Sequence, residues 1–436
     1  MAICLFLALG AGQVVARDEA AGPDAVPADA PIAEIRLIGN RRTQDEIILQ
    51  ELLVAPGMRP TPGLIDHSRQ ALLDLGLFRE VDLLLDPAPG RAEQILTVRV
   101  RERHYFLPVP RLDRRQEGDI VYGLQLRFDN LAGLNQRLRV GYRVREYADM
   151  DVDEYTASLD YSYPRLLGTV YRVDVALRHS VMPRVTLADL LVNGDDESFY
   201  RRESQELVVM GVRWLDPSGR PLGPQFGLGL AWRLEDLEMR SEAPIPQDAD
   251  GRAVGLLTRV AYTDVHELLF SRVGKSYGYE GEYGDEALGD FGYSRHQFHY
   301  RRYHPITRRP HTSLEVNMEL GLSHGRLFGR ETYGIGGGGT LRGYRRDSFT
   351  GEAYFQTNVE VLTPVFGVNA LRAATFLDLA NTYPTNSRVD PTRLRAGGGL
   401  GLRWRIQAFV DTELGLDIAY GDRDSPHVYG YTSATF

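Results

Sequence analysis

From residue 119 onward, apolar and polar residues alternate with period two in window after window. In 119–128, DIVYGLQLRF, the residues Ile120, Tyr122, Leu124, Leu126 and Phe128 share one face, while Gln125 and Arg127 take the other. In 137–147, Leu138, Val140, Tyr142 and Val144 alternate with Arg137, Arg139, Arg143 and Arg145. The pattern recurs at 155–163, 171–177, 226–234, 314–322, 396–406 and 414–420. Charged residues set between aliphatic ones cannot lie on a core face. They fit a strand with one face on lipid and the other on a watery lumen. Windows of about 9–11 residues match a tilted strand crossing the hydrocarbon layer. Tight links such as 131–133 alternate with long polar ones such as 181–206 and 243–253. At about 20 residues per strand and connection, the stretch 104–436 predicts an antiparallel transmembrane β-barrel of about 16 strands. A soluble β-sandwich does not account for arginines alternating with aliphatics through so many strands.

Ahead of the barrel the period changes. Residues 32–38 read as a strand ending at Gly39-Asn40. Thr43-Gln44-Asp45-Glu46 has the form of a capping box, opening a helix with Ile47, Ile48, Glu51 and Leu52. A second helix begins at Thr61-Pro62, carries Leu64, Ile65, Leu72, Leu73 and Leu75 at helical spacing, and closes at Gly76. Strands follow at 78–85 and 94–101, giving a small β-α-α-β-β unit over 32–103. Residues 2–16 are apolar and end in Val14-Val15-Ala16, so 1–16 is expected to be a cleaved secretory signal, although it lacks a positive n-region. The Ala/Pro/Asp-rich stretch 17–31 reads as a linker.

Composition narrows the function. The chain of 436 residues has 50 Lys+Arg against 59 Asp+Glu, a formal net charge of −9, which argues against a nucleic-acid partner. Its one cysteine, Cys4, lies in the expected signal, so the mature chain would have neither disulfides nor a thiol nucleophile. Mean hydropathy is −0.28, and no internal apolar run reaches the roughly 20 residues of a membrane helix. Alternating barrel strands leave average hydropathy unremarkable, so this excludes only helical spans.

Candidate chemistry is thin. Gly274-Lys275-Ser276-Tyr277-Gly278 matches G-x-S-x-G, but the aromatic-glycine run after it is a strand, not the helix that a nucleophile elbow needs. Residues 334–339, GIGGGG, contain a formal G-x-G-x-x-G, yet Thr340-Leu341-Arg342-Gly343-Tyr344 is no helix opening. The ten histidines, including His296, His299, His304 and His311, show no compact metal spacing. Catalytic residues, metal and cofactors are therefore expected to be absent.

The IRLIGN strand end at 35–40, Leu72-x-x-Leu75-Gly76-x-Phe78-x-x-Val81 and the closing strand ending at Glu102 together resemble a POTRA domain, the module in front of outer-membrane barrels of the BamA and TamA kind. In the barrel, GGGGTLRGY resembles the R-G-F/Y motif that this family carries at the tip of a loop folded into the lumen, here Leu341, Arg342, Gly343 and Tyr344. Residues 376–383, FLDLANTY, resemble the family's F-x-D-x-G strand motif, with Ala380 where the family has glycine. Period two turns Phe376 and Asp378 inward, and Asp378 is the expected partner of Arg342, because an unpaired guanidinium in the lumen would be costly. Tyr161-Ser162-Tyr163-Pro164-Arg165 resembles a family segment where an early strand ends in a proline turn. The terminal Phe436 after an alternating strand resembles the outer-membrane targeting signal.

The resemblance implies a non-enzymatic protein of the bacterial outer membrane, with its POTRA in the periplasm. It would insert, assemble or translocate unfolded or extended client polypeptides, with periplasmic or lipoprotein partners. Clients would pair with POTRA edges by β-augmentation and with a weak barrel seam between a first strand near 119–128 and a last near 428–436. A passive channel or structural surface protein is the rival reading. An esterase at Ser276 is a third, requiring a histidine and an acid beside that serine.

Overall fold

A computed structural model describes residues 30–114, 120–147, 153–186, 198–216, 220–240, 244–245, 249–306, 309–325, 327–328, 333–385, 389–390, 392–421 and 426–432. The expected signal, nearly all of the expected linker and Phe436 lie outside them.

The N-terminal unit runs β1 (Ile32–Ile38), α1 (Asp45–Leu49), α2 (Pro62–Asp74), β2 (Phe78–Pro87) and β3 (Gln94–Glu102). Its sheet has the order β1-β3-β2, with β1 parallel and β2 antiparallel to β3. The apolar positions read at helical and strand spacing close one core, with Ile32, Ile48, Leu72, Phe78, Leu96 and Val98 buried together. Thr61 caps α2 as its spacing predicts, accepting from the Leu64 amide at 3.3 Å. Thr43 does not cap α1. The helix is a short five-residue piece whose N-cap is Gln44 with no side-chain bond. The Thr43 hydroxyl instead meets the Tyr105 hydroxyl at 3.0 Å and accepts from Asn130 Nδ2 at 2.9 Å. A residue that looked like a local helix signal is held by a long-range contact.

The barrel strands are β4 (Phe106–Arg114), β5 (Ile120–Leu131), β6 (Gln136–Glu146), β7 (Asp153–Tyr163), β8 (Tyr171–Thr186), β9 (Phe199–Trp214), β10 (Gly223–Met239), β11 (Gly251–Glu267), β12 (Arg272–Gly284), β13 (Tyr293–Pro305) and β14 (Ser313–His324). A two-stranded hairpin, β15 (Tyr333–Ile335) with β16 (Phe349–Gly351), follows apart from the barrel sheet. The barrel resumes with β17 (Ala353–Val365), β18 (Val368–Tyr383), β19 (Arg395–Arg405), β20 (Glu413–Tyr420) and β21 (His427–Thr432). These form one sixteen-stranded sheet in which sequence neighbours pair antiparallel, β14 pairing with β17 across the inserted hairpin. Strand count and architecture match the sequence expectation.

Two details differ from it. The first barrel strand is β4, not the window near 119–128, which is β5. Pro108 and Pro110 hid it, because proline removes a ladder donor and is confined to sheet edges, and β4 is an edge. Strands β8 and β9 also run 16 residues each, so much of the segment 181–206 is ladder rather than loop. The sheet is apolar outside and polar inside. Leu230, Val260, Leu400 and Trp404 are exposed, while Arg127, Arg202, Asn317, Asp378 and Arg403 are buried.

The N-terminal unit sits against the turns at one end of the barrel. Gln44 donates its amide to the Gly133 carbonyl at 3.0 Å and its side chain to the Ala132 carbonyl at 2.9 Å, in the β5–β6 turn. Glu51 pairs with Arg165, past the end of β7, at 2.8 Å. At the end of α2, Asp74 meets His266 Nδ1 at 2.8 Å and accepts from the Glu267 amide at 2.9 Å, while Gln70 donates to the Glu267 carbonyl. Arg103 donates from Nη1 to the Phe409 carbonyl at 3.2 Å, in the β19–β20 turn. Four turns of the barrel are thus held by one small module.

Candidate functional site

The site is built around the connection from β15 to β16. Arg342 projects from this loop and is buried against the inner wall formed by β17 to β20. Its guanidinium makes a two-pronged contact with Asp378 of β18: Nε donates to Oδ2 at 2.7 Å and Nη2 to Oδ1 at 2.7 Å. The Arg342 backbone amide donates to Asp378 Oδ2 at 3.0 Å. Nη1 donates to Asp417 Oδ2 of β20 at 2.9 Å and to Glu360 Oε1 of β17 at 3.4 Å. The face of the guanidinium lies 3.4 Å from the centroid of the Phe376 ring, a cation–π stack. The structure thus brings Arg342, Asp378 and Phe376 together.

It adds three residues for which the sequence carried no motif. Arg403 of β19 donates from Nη1 to Asp417 Oδ1 at 2.5 Å and from Nη2 to Glu360 Oε1. Two guanidiniums and three carboxylates, Arg342 and Arg403 with Glu360, Asp378 and Asp417, form one network with a formal charge of −1. Buried charges survive only when paired and hydrogen-bonded, and here each carboxylate serves at least one guanidinium. In sequence, Arg403, Glu360 and Asp417 look like any inward-facing lumen residue. The one available signal was the run of glycines in β19: a Cβ on Gly397 would stand 1.9 Å from the Arg342 carbonyl oxygen, so the wall is thinned where the loop lies.

The rest of the motif holds the loop backbone. Gly343 has φ +93, and a Cβ there would meet the Tyr420 backbone at 2.5 Å, so only glycine fits. Its amide donates to the Tyr429 hydroxyl of β21 at 3.1 Å, and that hydroxyl donates to the Tyr344 carbonyl at 3.0 Å. The Tyr344 hydroxyl reaches the Ala396 carbonyl at 3.1 Å. Leu341 is fully buried in a small cluster with Tyr333, Ile335, Tyr354 and Ala380. Beside the loop, a polar cavity of about 630 Å³ is lined by Arg143, Arg178, Arg202, Arg233, Glu206 and Glu235, and by Arg346 of the loop itself.

Ser276 lies inside strand β12, paired with Arg301 of β13, and its hydroxyl meets that of Thr263 at 3.5 Å. The strand–turn–helix of a nucleophile elbow is not there. Among the described residues no group of three or more His, Cys, Asp or Glu side chains is arranged to hold a metal ion. Phe436 falls outside the described residues.

An antiparallel barrel of sixteen strands, apolar outward and polar inward, with an arginine-bearing loop against its inner wall and a small α/β module at its base, defines a transmembrane β-barrel protein. The chain belongs to the Omp85 superfamily: the Omp85 superfamily domain matches residues 130–409, and the POTRA family, described as surface antigen variable number repeat, matches 30–103. Members are outer-membrane proteins of transport and assembly with periplasmic POTRA domains, not enzymes. Among solved structures the chain is similar to CdiB from Escherichia coli, at 15% identity and a TM-score of 0.63, over 93% of this chain and 76% of that one. It is similar to CdiB from Acinetobacter baumannii, at 14% identity and a TM-score of 0.61, over 93% and 74%. BamA from Haemophilus ducreyi lacking POTRA domains 1–3 matches at 15% identity and a TM-score of 0.52, over 92% and 83%. No curated protein matches by sequence.

Proposed function

We propose that this protein inserts, assembles or translocates polypeptides at the bacterial outer membrane, with residues 32–103 in the periplasm and 104–436 in the membrane. The loop carrying Leu341, Arg342, Gly343 and Tyr344 would fill part of the lumen, held by Asp378 and Phe376. The observation that carries this reading is the five-residue ion network that ties the loop to four consecutive strands beside the sheet edge. A simple pore gains nothing from charges buried at such desolvation cost. Clients would engage main chain to main chain, since among the described residues β1 and β2 each pair only with β3 and leave an open edge. The family resemblance implies no energy source in the chain, so the work would come from the folding of the client itself.

A passive channel is favoured by one feature, the arginine-lined cavity inside the barrel. Single-channel conductance in a planar bilayer separates the two. A small, flickering conductance that becomes larger or less stable in Arg342→Ala is the expected result. A large, steady conductance indifferent to Arg342 would leave the channel as the better reading.

A further inference from the structure

The outward face of the barrel is apolar at Leu230, Leu400 and Leu416, yet on β12 and β13 it carries two cations side by side. Along β12 the exposed Tyr277 and Tyr283 mark the lipid-facing parity, and Lys275 shares it. Along β13 the exposed Phe298 and Tyr300 do the same for Arg302. Lys275 and Arg302 are direct register partners, with Asp264 of β11 beyond Lys275 and Val316 of β14 beyond Arg302. Like charges directly opposite on neighbouring strands repel, and a cation on a lipid face is costly except near the interface. Asp264 does not neutralise the pair, because its carboxylate turns to His266 Nε2 at 3.5 Å. Among the described residues neither Lys275 nor Arg302 has an ion-pair partner.

The rows around this pair are ordered. Toward the POTRA, His266 is bound to Asp74 at the end of α2, so the cations lie just above the docked module. Away from the POTRA, Tyr262, Tyr277 and Tyr300 stand in register on β11, β12 and β13, and Met318 extends their row onto β14. The rings of Tyr262 and Tyr277 stack with centroids 5.2 Å apart, and Lys275 Nζ lies 5.7 Å from the centroid of Tyr262. The next row is Val260, Tyr279, Phe298 and Leu320. Tyrosine rings settle at the level of lipid headgroups, apolar body toward the hydrocarbon and hydroxyl in the polar layer. The sequence of docked module, cations, tyrosines and apolar side chains follows the depth profile of one phospholipid leaflet.

We propose that Lys275 and Arg302 form a binding site for the phosphodiester of an anionic phospholipid in the leaflet on the POTRA side. The inference rests on the membrane placement of 104–436 proposed above and owes nothing to the client. A phosphodiester between the two side chains supplies the negative charge that Asp264 withholds and relieves their repulsion. Guanidinium is suited to two-pronged contact with phosphate, and the lysine ammonium acts beside it as a point charge. The tyrosine row lies at the depth of the glycerol esters, and Val260, Phe298, Met318 and Leu320 offer the acyl chains an apolar wall. A free phosphate would use the cations alone and leave that wall unused.

The test uses the full-length protein in a neutral detergent, with bound lipid counted by native mass spectrometry through a titration. The probes are phosphatidylglycerol, which is anionic, and phosphatidylethanolamine, which has the same phosphodiester but no net charge, with inorganic phosphate as competitor. Half-saturation at about tenfold lower phosphatidylglycerol than phosphatidylethanolamine is expected, from the usual attraction of a lysine or arginine to an anionic lipid surface. Lys275→Gln with Arg302→Gln should bring the two values together, while Lys275→Arg with Arg302→Lys should keep them apart. Arg213→Gln removes another exposed cation, seated 5.9 Å from the centroid of the Tyr171 ring, and should leave both values unchanged. Equal values in the wild type, or a preference that survives the glutamine pair, would overturn the site. An equal loss in Arg213→Gln would also overturn it, as general surface charge would then suffice. Displacement of the lipid by equimolar inorganic phosphate would make the phosphate group alone the ligand and remove the lipid. Heat-modifiable migration in liposomes separates the two levels of the argument. Wild-type protein that folds in lipid but shows no headgroup preference sinks this site alone, and failure to fold in lipid sinks the membrane placement with it.

Discussion

At the scale of single residues, the molecule concentrates its unusual chemistry in Arg342. One planar fork satisfies both oxygens of Asp378, a further nitrogen serves Asp417 and Glu360, and the flat face stacks on Phe376. Lysine has one nitrogen on a flexible stem and cannot reproduce this set. Arg342→Lys is therefore expected to release the loop nearly as fully as Arg342→Ala, the cost of breaking a buried pair being about 3–5 kcal/mol. Amide exchange over 336–348 reads this directly. Protection that survives in Arg342→Lys would mean that Leu341, Tyr344 and Tyr429 hold the loop without the charge network. The pairing of Arg342 with Asp378 and Phe376 was legible because the R-G-Y and F-x-D segments each carry a recognisable spacing and period two turns the second inward. Arg403, Glu360 and Asp417 were not legible, since an inward-facing charge looks the same in sequence whether it faces water or a buried partner. Thr43 misled for a related reason: a helix cap and a long-range hydroxyl partner need the same residue type.

At the scale of elements, regular pattern was readable and edges were not. The alternating windows located most barrel strands because lipid outside and water inside force period two on both faces at once. Strand β4 escaped because its two prolines break the pattern that defines a central strand, and its place at the edge is what permits them. The docking of α2 onto the end of β11 was invisible for another reason: it depends on polar groups that meet only after both units fold. Asp74 there faces His266, the Gln70 amide and the Glu267 backbone amide, and His266 in turn approaches Asp264. Burial raises the Asp74 carboxyl above its ordinary range, against the lowering effect of the His266 bond. A carboxyl raised on docking binds its proton more tightly in the docked state. Its contribution is therefore fullest below the ordinary value and is lost as pH rises through the raised one. Glu51 at the Arg165 contact is raised by burial in the same direction. Exchange of amides in 62–74 is thus expected to slow as pH falls from neutral toward the upper carboxylate range, after correction for intrinsic rates. Asp74→Asn should flatten most of this dependence. A docking that loosens on mild acidification would show that the ionised carboxylates, not their burial, govern the contact.

At the scale of the whole molecule, three features set how the barrel is held and where its sheet ends. The POTRA holds four turns at the base, the loop braces β17 to β21 from within, and the prolines deny β4 a full ladder on its free side. A closed, symmetric pore needs none of them. Together they support the activity on polypeptides proposed above. It is tested most directly with liposomes carrying the purified protein, to which a urea-unfolded eight-stranded outer-membrane barrel protein is added on dilution. The fraction folded is read by heat-modifiable migration against empty liposomes. Folding several-fold faster with the wild-type protein than with lipid alone is expected, with a return to the lipid rate in Arg342→Ala. Equal rates with and without the wild-type protein would contradict it.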